Sequence, residues 1–244
     1  MGLFDGLFEK KSCGVCGKEL GLLGKRKLED GYICKDCASK LSPFFSERRA
    51  STLDQIKEQL EYREANKDAV AVFNVTRTLG VGKKVLIDED ARKFIVSSSS
   101  RWRDENPDVI DFSQVTGCEI DVRENRSEIK KENEDGTKSS YDPPRWDIDY
   151  EIYVTIHINS PWFDEIRLET HNNTIESRLS IEFDSAERVA VEIREALMGA
   201  RQEVRDAVVA ANTPKVARTC PHCNATTIPD ASGRCEYCGG AIDG

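Results

Sequence analysis

Four C-x2-C pairs, two near each end of the chain, constrain the fold more than any other feature of the sequence. Seventeen residues separate the first two pairs, "CGVC" and "CKDC", and eleven separate "CPHC" from "CEYC". Two residues between cysteines allow a tight turn to aim both sulfurs at one ion, and a second such turn completes a tetrahedral zinc site. Glycine after Cys16 and after Cys238 suits these turns because it adopts positive φ. We therefore predict two zinc sites, formed by Cys13, Cys16, Cys34 and Cys37 and by Cys220, Cys223, Cys235 and Cys238.

Both sites are predicted to be structural, because a catalytic zinc keeps one coordination position open and four cysteines leave none. The sequence shows no secretory signal and no apolar run of about 18 residues, the length that crosses a bilayer. These patterns predict a cytoplasmic protein. In a reducing compartment, C-x2-C pairs are metal ligands or redox centres rather than structural disulfides.

The chain divides into five segments. These are a lead peptide (1–11), a first cysteine module (12–50), a central body (51–211), a polar linker (212–219) and a second module (220–244). The lead peptide carries Leu3, Phe4, Leu7 and Phe8 on one helical stripe. Such a stripe suits a membrane interface, a groove on a partner or the chain's own fold, so peripheral membrane contact is left open.

The body is predicted to be an α+β domain. Thr52 and Gln55 have capping-box spacing ahead of the helical segment "LDQIKEQLEYREANK". Strand-like runs follow in "AVAVFNVTRTLG", "KKVLIDED", "RKFIVSSSS", "VIDFSQVTGCEIDV", "YEIYVTIHI", "DEIRLET" and "RLSIEF". The charged segment "NRSEIKKENEDGTKSSYDPPRW" is predicted to be a long solvated hairpin connection. Asp184 and Glu187 then start a long helix with an apolar stripe.

This order of elements predicts the fold class. About seven short antiparallel strands closed by a C-terminal helix are the order of a pleckstrin-homology-like barrel or sandwich, an arrangement that other α+β sandwiches share. The expected architecture is such a body flanked by two small zinc modules.

Charge is unevenly distributed along the chain, whose formal net charge is −9. Residues 51–214 carry 34 acidic and 22 basic side chains. A body this acidic repels phosphate backbones, which argues against sequence-independent nucleic-acid binding. The basic run at residues 25–27 and the zinc modules keep nucleic-acid binding as an alternative.

Several other residues have a structural interpretation beside a functional one. Cys118 lies in a strand-like run and is predicted to be a small buried hydrophobe rather than a reactive thiol. His157 is placed at the surface or in a pocket, and His222 is expected to face solvent. Contact with a ligand or partner and burial in the fold are both left open for three loop aromatics: Trp102, Trp162 and Phe163.

The segments "CGVCGKEL" and "KLEDGYICKDCASKLSPFF" resemble an uncharacterised bacterial family, chiefly Gram-positive, with an N-terminal four-cysteine zinc domain. The resemblance continues through "QIKEQLEYREANK" and "NPDVIDFSQVTGCEI", and it implies metal binding but no activity. The tail, with "CPHC" and "CEYCGG", resembles a zinc ribbon. A start of the "MGLFD-x-LF" kind with a terminal ribbon is also similar to bacterial membrane-associated scaffold proteins.

These observations favour a non-enzymatic zinc-binding adaptor with protein partners. No set of nucleophile, base and oxyanion donor is recognisable in the sequence. A redox- or metal-responsive switch through the eight paired cysteines is one alternative, and a nucleic-acid-binding zinc-ribbon protein is another.

Overall fold

The computed structural model describes residues 11–21, 24–212, 217–230 and 233–242, in two compact units. The first unit ends at Gln202 and the second begins at Glu203. The apolar stripe of the lead peptide, formed by Leu3, Phe4, Leu7 and Phe8, lies outside the described residues. Within the described ranges, every helix falls short of the combined length and apolar character that a membrane span requires.

The first cysteine module consists of two small hairpins and a one-turn helix. Its elements are β1 (Lys11–Ser12), β2 (Glu19–Leu20), β3 (Lys25–Lys27), β4 (Tyr32–Cys34) and α1 (Lys35–Ala38), followed by a 3-10 turn (Glu47–Ala50). β1 pairs with β2 and β3 pairs with β4, both antiparallel. Its buried cluster comprises three cysteines with Leu28, Ile33 and Leu41, and it is joined by Ile56 of the next helix. A core with so few apolar groups needs a metal or a cross-link to be stable.

Helix α2 (Leu53–Val72) begins with the predicted capping box. The backbone N–H of Gln55 donates to Thr52 Oγ1 at 3.4 Å, and the N–H of Thr52 donates to Gln55 Oε1 at 2.9 Å. The strand predicted from residue 69 is wrong at its start, because the helix continues to Val72. Val70 and Phe73 are three residues apart, so both reach the same apolar cluster of the body from one helical face.

The body contains two open antiparallel sheets. The first is a meander of β5 (Arg77–Leu79), β6 (Lys84–Asp88), β7 (Lys93–Ser97) and β8 (Ile110–Asp111), with α3 (Trp102–Glu105) between the last two strands. The second, in the order β11-β10-β9, consists of β9 (Val115–Glu132), β10 (Lys138–Ile158) and β11 (Glu165–Glu169). The predicted mixture of helix and strand is therefore present, whereas no closed barrel is found among the described strands.

β9 and β10 form a hairpin far longer than the sequence analysis predicts. The charged segment joins two strands of a hairpin, as predicted. Most of it is paired strand rather than loop, however, because the ladder continues to the pair Glu132 and Lys138. Only the tip is a turn, in which the N–H of Asn133 donates to the carbonyl of Thr137 at 2.8 Å. Charged side chains on both faces of the ribbon remove the apolar alternation by which a strand is recognised.

Helix α4 (Ile181–Asn212) begins earlier than predicted. The N–H of Phe183 donates to Ser180 Oγ at 3.1 Å, so Ser180 caps the helix. The strand predicted in "RLSIEF" is wrong, because this segment contains a turn and the first turn of α4. Side chains at helical spacing bury one face of the helix: Phe183, Ala186, Ala190, Ile193 and Leu197. In the second unit the helix is followed by β12 (Arg218–Thr219) and β13 (Thr226–Thr227), which pair antiparallel.

A buried ion pair joins α2 to the loop before β8. Arg63 Nη1 donates to Asp108 Oδ1 at 2.9 Å, and the two side chains are 7% and 0% exposed. Ser42 Oγ donates to the other oxygen of the same carboxylate at 2.7 Å. Arg63 also donates to the backbone carbonyls of Lys40 and Asn106. One carboxylate therefore holds together the first module, α2 and the loop before β8.

Aromatic rings add a second contact between the first module and the body. The ring centroid of Phe163 lies 5.4 Å from that of Phe44, and Trp162 lies 6.4 Å from Phe45 and 6.2 Å from Tyr62 of α2. Phe163 is buried and Trp162 is half-buried. The loop between β10 and β11 thus uses both aromatic residues to hold the module in place.

Candidate metal centres

The first centre brings the four predicted sulfurs together. β4 ends at Cys34, which caps α1, and the N–H of Cys37 donates to Cys34 Sγ at 3.3 Å. The sulfurs of Cys13 and Cys37 lie 3.8 Å apart, as do those of Cys16 and Cys34, and all four lie within 4.8 Å of one another. With zinc–sulfur bonds of about 2.3 Å, a tetrahedral site requires sulfurs about 3.8 Å apart. The donor set and its spacing fit zinc.

The second centre repeats this arrangement in the second unit. Cys220 Sγ lies 3.6 Å from Cys238 Sγ, Cys223 Sγ lies 3.7 Å from Cys235 Sγ, and all four sulfurs lie within 4.8 Å of one another. The adjoining cluster of buried apolar side chains contains, besides Cys220 and Cys235, only Ile242 among the described residues. The two centres are consistent with the two predicted structural zinc sites.

Three of the four cysteine pairs are built as the same turn. The residue after the second cysteine has positive φ in each: Gly17 (+74°), Asn224 (+60°) and Gly239 (+70°). Its N–H donates to the carbonyl of the first cysteine of the pair at 2.8, 2.9 and 2.8 Å, respectively. The two glycines were predicted from their positions after Cys16 and Cys238. Asn224 was not, although asparagine is among the residues that adopt this conformation most readily. The fourth pair, at the start of α1, uses a helix instead.

We expect Gly17→Ala to weaken zinc binding roughly 5- to 30-fold, because a Cβ at positive φ costs about 1–2 kcal/mol. No atom lies within 4 Å of the added Cβ, so the cost is one of backbone conformation alone. Gly21→Ala is the matched control, since Gly21 also has open space but no positive φ. Competition with a chromophoric chelator measures both affinities, and equal losses in the two variants would contradict the assignment.

Electrostatics in the first centre favours a bound cation. Burial raises the pKa of the Cys13 thiol, but hydrogen bonds from the backbone of Cys16, Cys34 and Val15 outweigh it and bring this pKa down to about 6. Burial raises the pKa of Cys37 well above its usual range, and the neighbouring sulfurs raise it further. One thiol therefore ionises readily while another retains its proton, unless a divalent cation offsets the accumulated charge.

The second centre shows the same division between its thiols. Burial opposes ionisation of Cys220, yet backbone hydrogen bonds from His222 and Cys223 lower its pKa to about 6. For Cys223 the backbone N–H of Ala225 favours the thiolate, but the nearby sulfur of Cys238 and burial outweigh it and raise the pKa to about 12. Four thiolates can again coexist only around a cation.

None of the histidines joins either group of four sulfurs. His222 is exposed, and its ring lies against Gly240. His157 lies on the strand face opposite the apolar one, with Nε2 3.5 Å from Glu119. His171 links β10 to the segment after β11 by hydrogen bonds. Its Nε2 accepts from the N–H of Ile152 at 3.1 Å. In a neutral imidazole the other nitrogen then carries the proton, so Nδ1 donates to the carbonyl of Asn173 at 2.8 Å.

Trp102 lies in the interior of the fold. It is 8% exposed, and its ring meets that of Phe73 edge-on at 5.7 Å. The guanidinium of Arg103 lies 4.1 Å from the Trp102 ring centroid and donates to the carbonyl of Phe73. Arginine and tryptophan therefore stack within the fold, which leaves this ring face unavailable to a ligand.

Cys118 lies on the apolar face of β9, opposite Ile156. Burial raises the pKa of its thiol to about 11, although Arg194 partly opposes the shift. At neutral pH this leaves roughly 100-fold less thiolate than a free cysteine has.

In zinc-loaded protein, we expect Cys118 to react with a chromogenic disulfide reagent roughly 100-fold more slowly than free cysteine at pH 7. Its rate should rise about tenfold per pH unit below pH 11, since the thiolate is the nucleophile. Cys118→Ala identifies this slow phase by abolishing it. A fast phase at pH 7 that disappears in the variant would contradict the assignment.

Comparison with known proteins adds one match. A family model described as "Domain of unknown function (DUF4428)" matches residues 11–59. The matched region contains the first metal centre and the first turns of α2, which agrees with the predicted N-terminal zinc domain. No match was found among curated proteins, and none among solved structures.

Proposed function

We propose that this protein is a non-enzymatic zinc-binding adaptor that contacts protein partners. The observation that carries the proposal is the closed geometry of both centres, in which four sulfurs occupy all four positions. A zinc that activates water or substrate needs an open position. Each metal is therefore assigned the task of fixing a small surface. We place the protein in the cytoplasm, with the lead peptide as a contact for a membrane surface, a partner or the chain's own fold.

The second module offers a surface suited to a partner. Tyr237 is 70% exposed within the turn between Cys235 and Cys238, and Ile228 is 45% exposed. Aromatic side chains are enriched in protein–protein interfaces, where they supply a large contact area. Metal binding fixes the turn that presents Tyr237, so zinc and partner binding are linked.

We also infer a pleckstrin-homology-like body. Its support is the order of elements: a four-stranded meander, a three-stranded meander and then α4. The resemblance to the bacterial four-cysteine family is inferred to extend through this body, on the segments quoted above.

A quantitative co-purification experiment tests the adaptor role. The zinc-loaded chain is compared with Tyr237→Ser/Ile228→Ser, which leaves all eight ligands in place, and with Cys220→Ser/Cys223→Ser, which removes the second centre. We expect the same partners to be lost from both variants while metal analysis shows two zinc ions per chain only in the surface variant. Val72→Ser, at a position 80% exposed on α2, is the control that retains every partner. Identical partner sets for all four proteins would contradict the proposal.

A redox- or metal-responsive switch is a second candidate, favoured by the exposure of Cys16, Cys223 and Cys238. It requires that mild peroxide releases zinc and that a thiol reductant restores binding. Zinc that stays bound under peroxide would exclude this switch and leave the adaptor proposal intact.

A further inference from the structure

The β9–β10 hairpin extends well beyond the rest of its sheet. β11 pairs only with residues 153–157 of β10, so the distal part of the hairpin is a two-stranded ribbon. Residues 123–127 are all exposed as whole residues, although the Glu124 side chain itself is only 27% exposed. A two-stranded ribbon with both faces in water is marginally stable by itself. A further strand along one edge is the simplest way to stabilise it.

The two edges of this ribbon differ. β10 contains Pro143 and Pro144, which lack N–H donors, and its register with β9 shifts between Ser140 and Arg145. Such features block strand addition. β9 contains no proline, and its register runs without a shift from Gly117 to Ile129. No other strand of the described residues pairs with its outer edge.

The charge pattern along β9 is self-complementary, so opposite charges face each other when two β9 strands pair antiparallel. If two copies of β9 pair antiparallel about a two-fold axis at Ser127, Arg126 faces Glu128 of the second copy and Glu124 faces its Lys130. The symmetry doubles these contacts, which gives four opposite-charge pairs on one face of the new sheet. On the other face Arg123 meets Lys131, but Arg123 Nε already lies 3.1 Å from the carboxylate of Asp121. On the first face Arg126 Nε lies 2.5 Å from Glu124 Oε1 of its own chain, so the pairs across the two-fold axis extend an existing ion pair into a network.

We propose that the outer edge of β9 binds the same edge of a second copy of this chain, so that two ribbons form one four-stranded sheet. Backbone hydrogen bonds supply the attraction, and the charge pattern centred on Ser127 sets the register. This dimer does not depend on either metal centre or on the proposed adaptor role.

A charge exchange tests the register. Sedimentation equilibrium of the zinc-loaded full chain should show a dimer. Glu128→Arg places Arg126 opposite arginine at both symmetric positions, and Arg126→Glu places two glutamates there. Each single variant should raise the dissociation constant roughly tenfold or more. The double variant Arg126→Glu/Glu128→Arg should recover wild-type affinity, because opposite charges face each other again.

Asp147→Arg is the matched control. It makes the same charge change as Glu128→Arg on the same ribbon, but on β10, opposite Ser127 within one chain. It should leave the dissociation constant unchanged, and circular dichroism and zinc content should be the same for all variants. The proposal is overturned by a wild-type chain that stays monomeric at its highest soluble concentration. It is equally overturned by a double variant as weak as the single ones, or by a control that weakens the dimer as much as Glu128→Arg.

Discussion

Cys34→Ser will unfold the first module and the beginning of α2, whereas Cys235→Ser will unfold only the second module. Both cysteines are 3% exposed and belong to four-sulfur centres, so the substitutions are chemically matched. Zinc binding contributes on the order of 10 kcal/mol to the folding of small modules of this kind. The few buried apolar groups of the first module cannot offset such a loss.

The difference between the two variants follows from what each centre contacts. Ile56 of α2 belongs to the buried cluster around the first centre, and Leu53 and Leu60 pack against it. Loss of the metal therefore exposes one face of the first two turns of α2. The cluster at the second centre contains only Ile242 besides two cysteines in the described residues, so its loss stays local.

Hydrogen exchange resolved by peptide measures this difference. In Cys34→Ser we expect protection to fall in residues 24–45 and in 53–62, and in Cys235→Ser only in 217–242. Chelation of the wild-type metal should reproduce both patterns together. Retained protection of residues 53–62 in Cys34→Ser would show that α2 is stable without the centre, contrary to the packing described.

The metal centres could be predicted from sequence because their information is local. A C-x2-C pair fixes two ligands within one turn, and the residue after it fixes the backbone, as Gly17 and Gly239 show. Joining two pairs needs only a loop of suitable length. The same locality explains why the capping box at Thr52 was predicted correctly.

The errors in the body arise where one pattern fits two structures. "AVAVF" alternates like a strand, but Val70 and Phe73 also have helical spacing. The helix is the structure that forms, because it packs both side chains into the cluster that contains Trp102. In the distal hairpin, charges on both faces conceal the strands altogether. Cross-strand backbone hydrogen bonds hold that ribbon together. Such bonds do not depend on side-chain type, so the charged sequence contains no pattern from which the strands could be predicted.

The buried pair of Arg63 and Asp108 was missed for a different reason. Its members are 45 residues apart, and nothing near either residue distinguishes it from the many exposed charges of the chain. Only the tertiary fold brings them together. This pair is also the basis of the second large effect.

Asp108→Ala should lower the free energy of unfolding by about 3–5 kcal/mol, because it leaves the buried guanidinium of Arg63 without its counter-charge. Ser42 loses its acceptor as well. Urea denaturation of the zinc-loaded protein measures the change. Glu64→Ala is the matched control on α2: its ion pair with Lys67 is exposed, so its loss should cost less than about 1 kcal/mol.

A double-mutant cycle separates the pair from its surroundings. Arg63→Ala should also be strongly destabilising, since the carboxylate of Asp108 then remains buried with Ser42 alone. The double variant should lose less than the sum of the two single losses, because it leaves no uncompensated charge. Additive losses would mean that each residue acts through other contacts. A coupling of about 2 kcal/mol or more would instead show that the two side chains stabilise the protein as a pair, between α2 and the loop before β8.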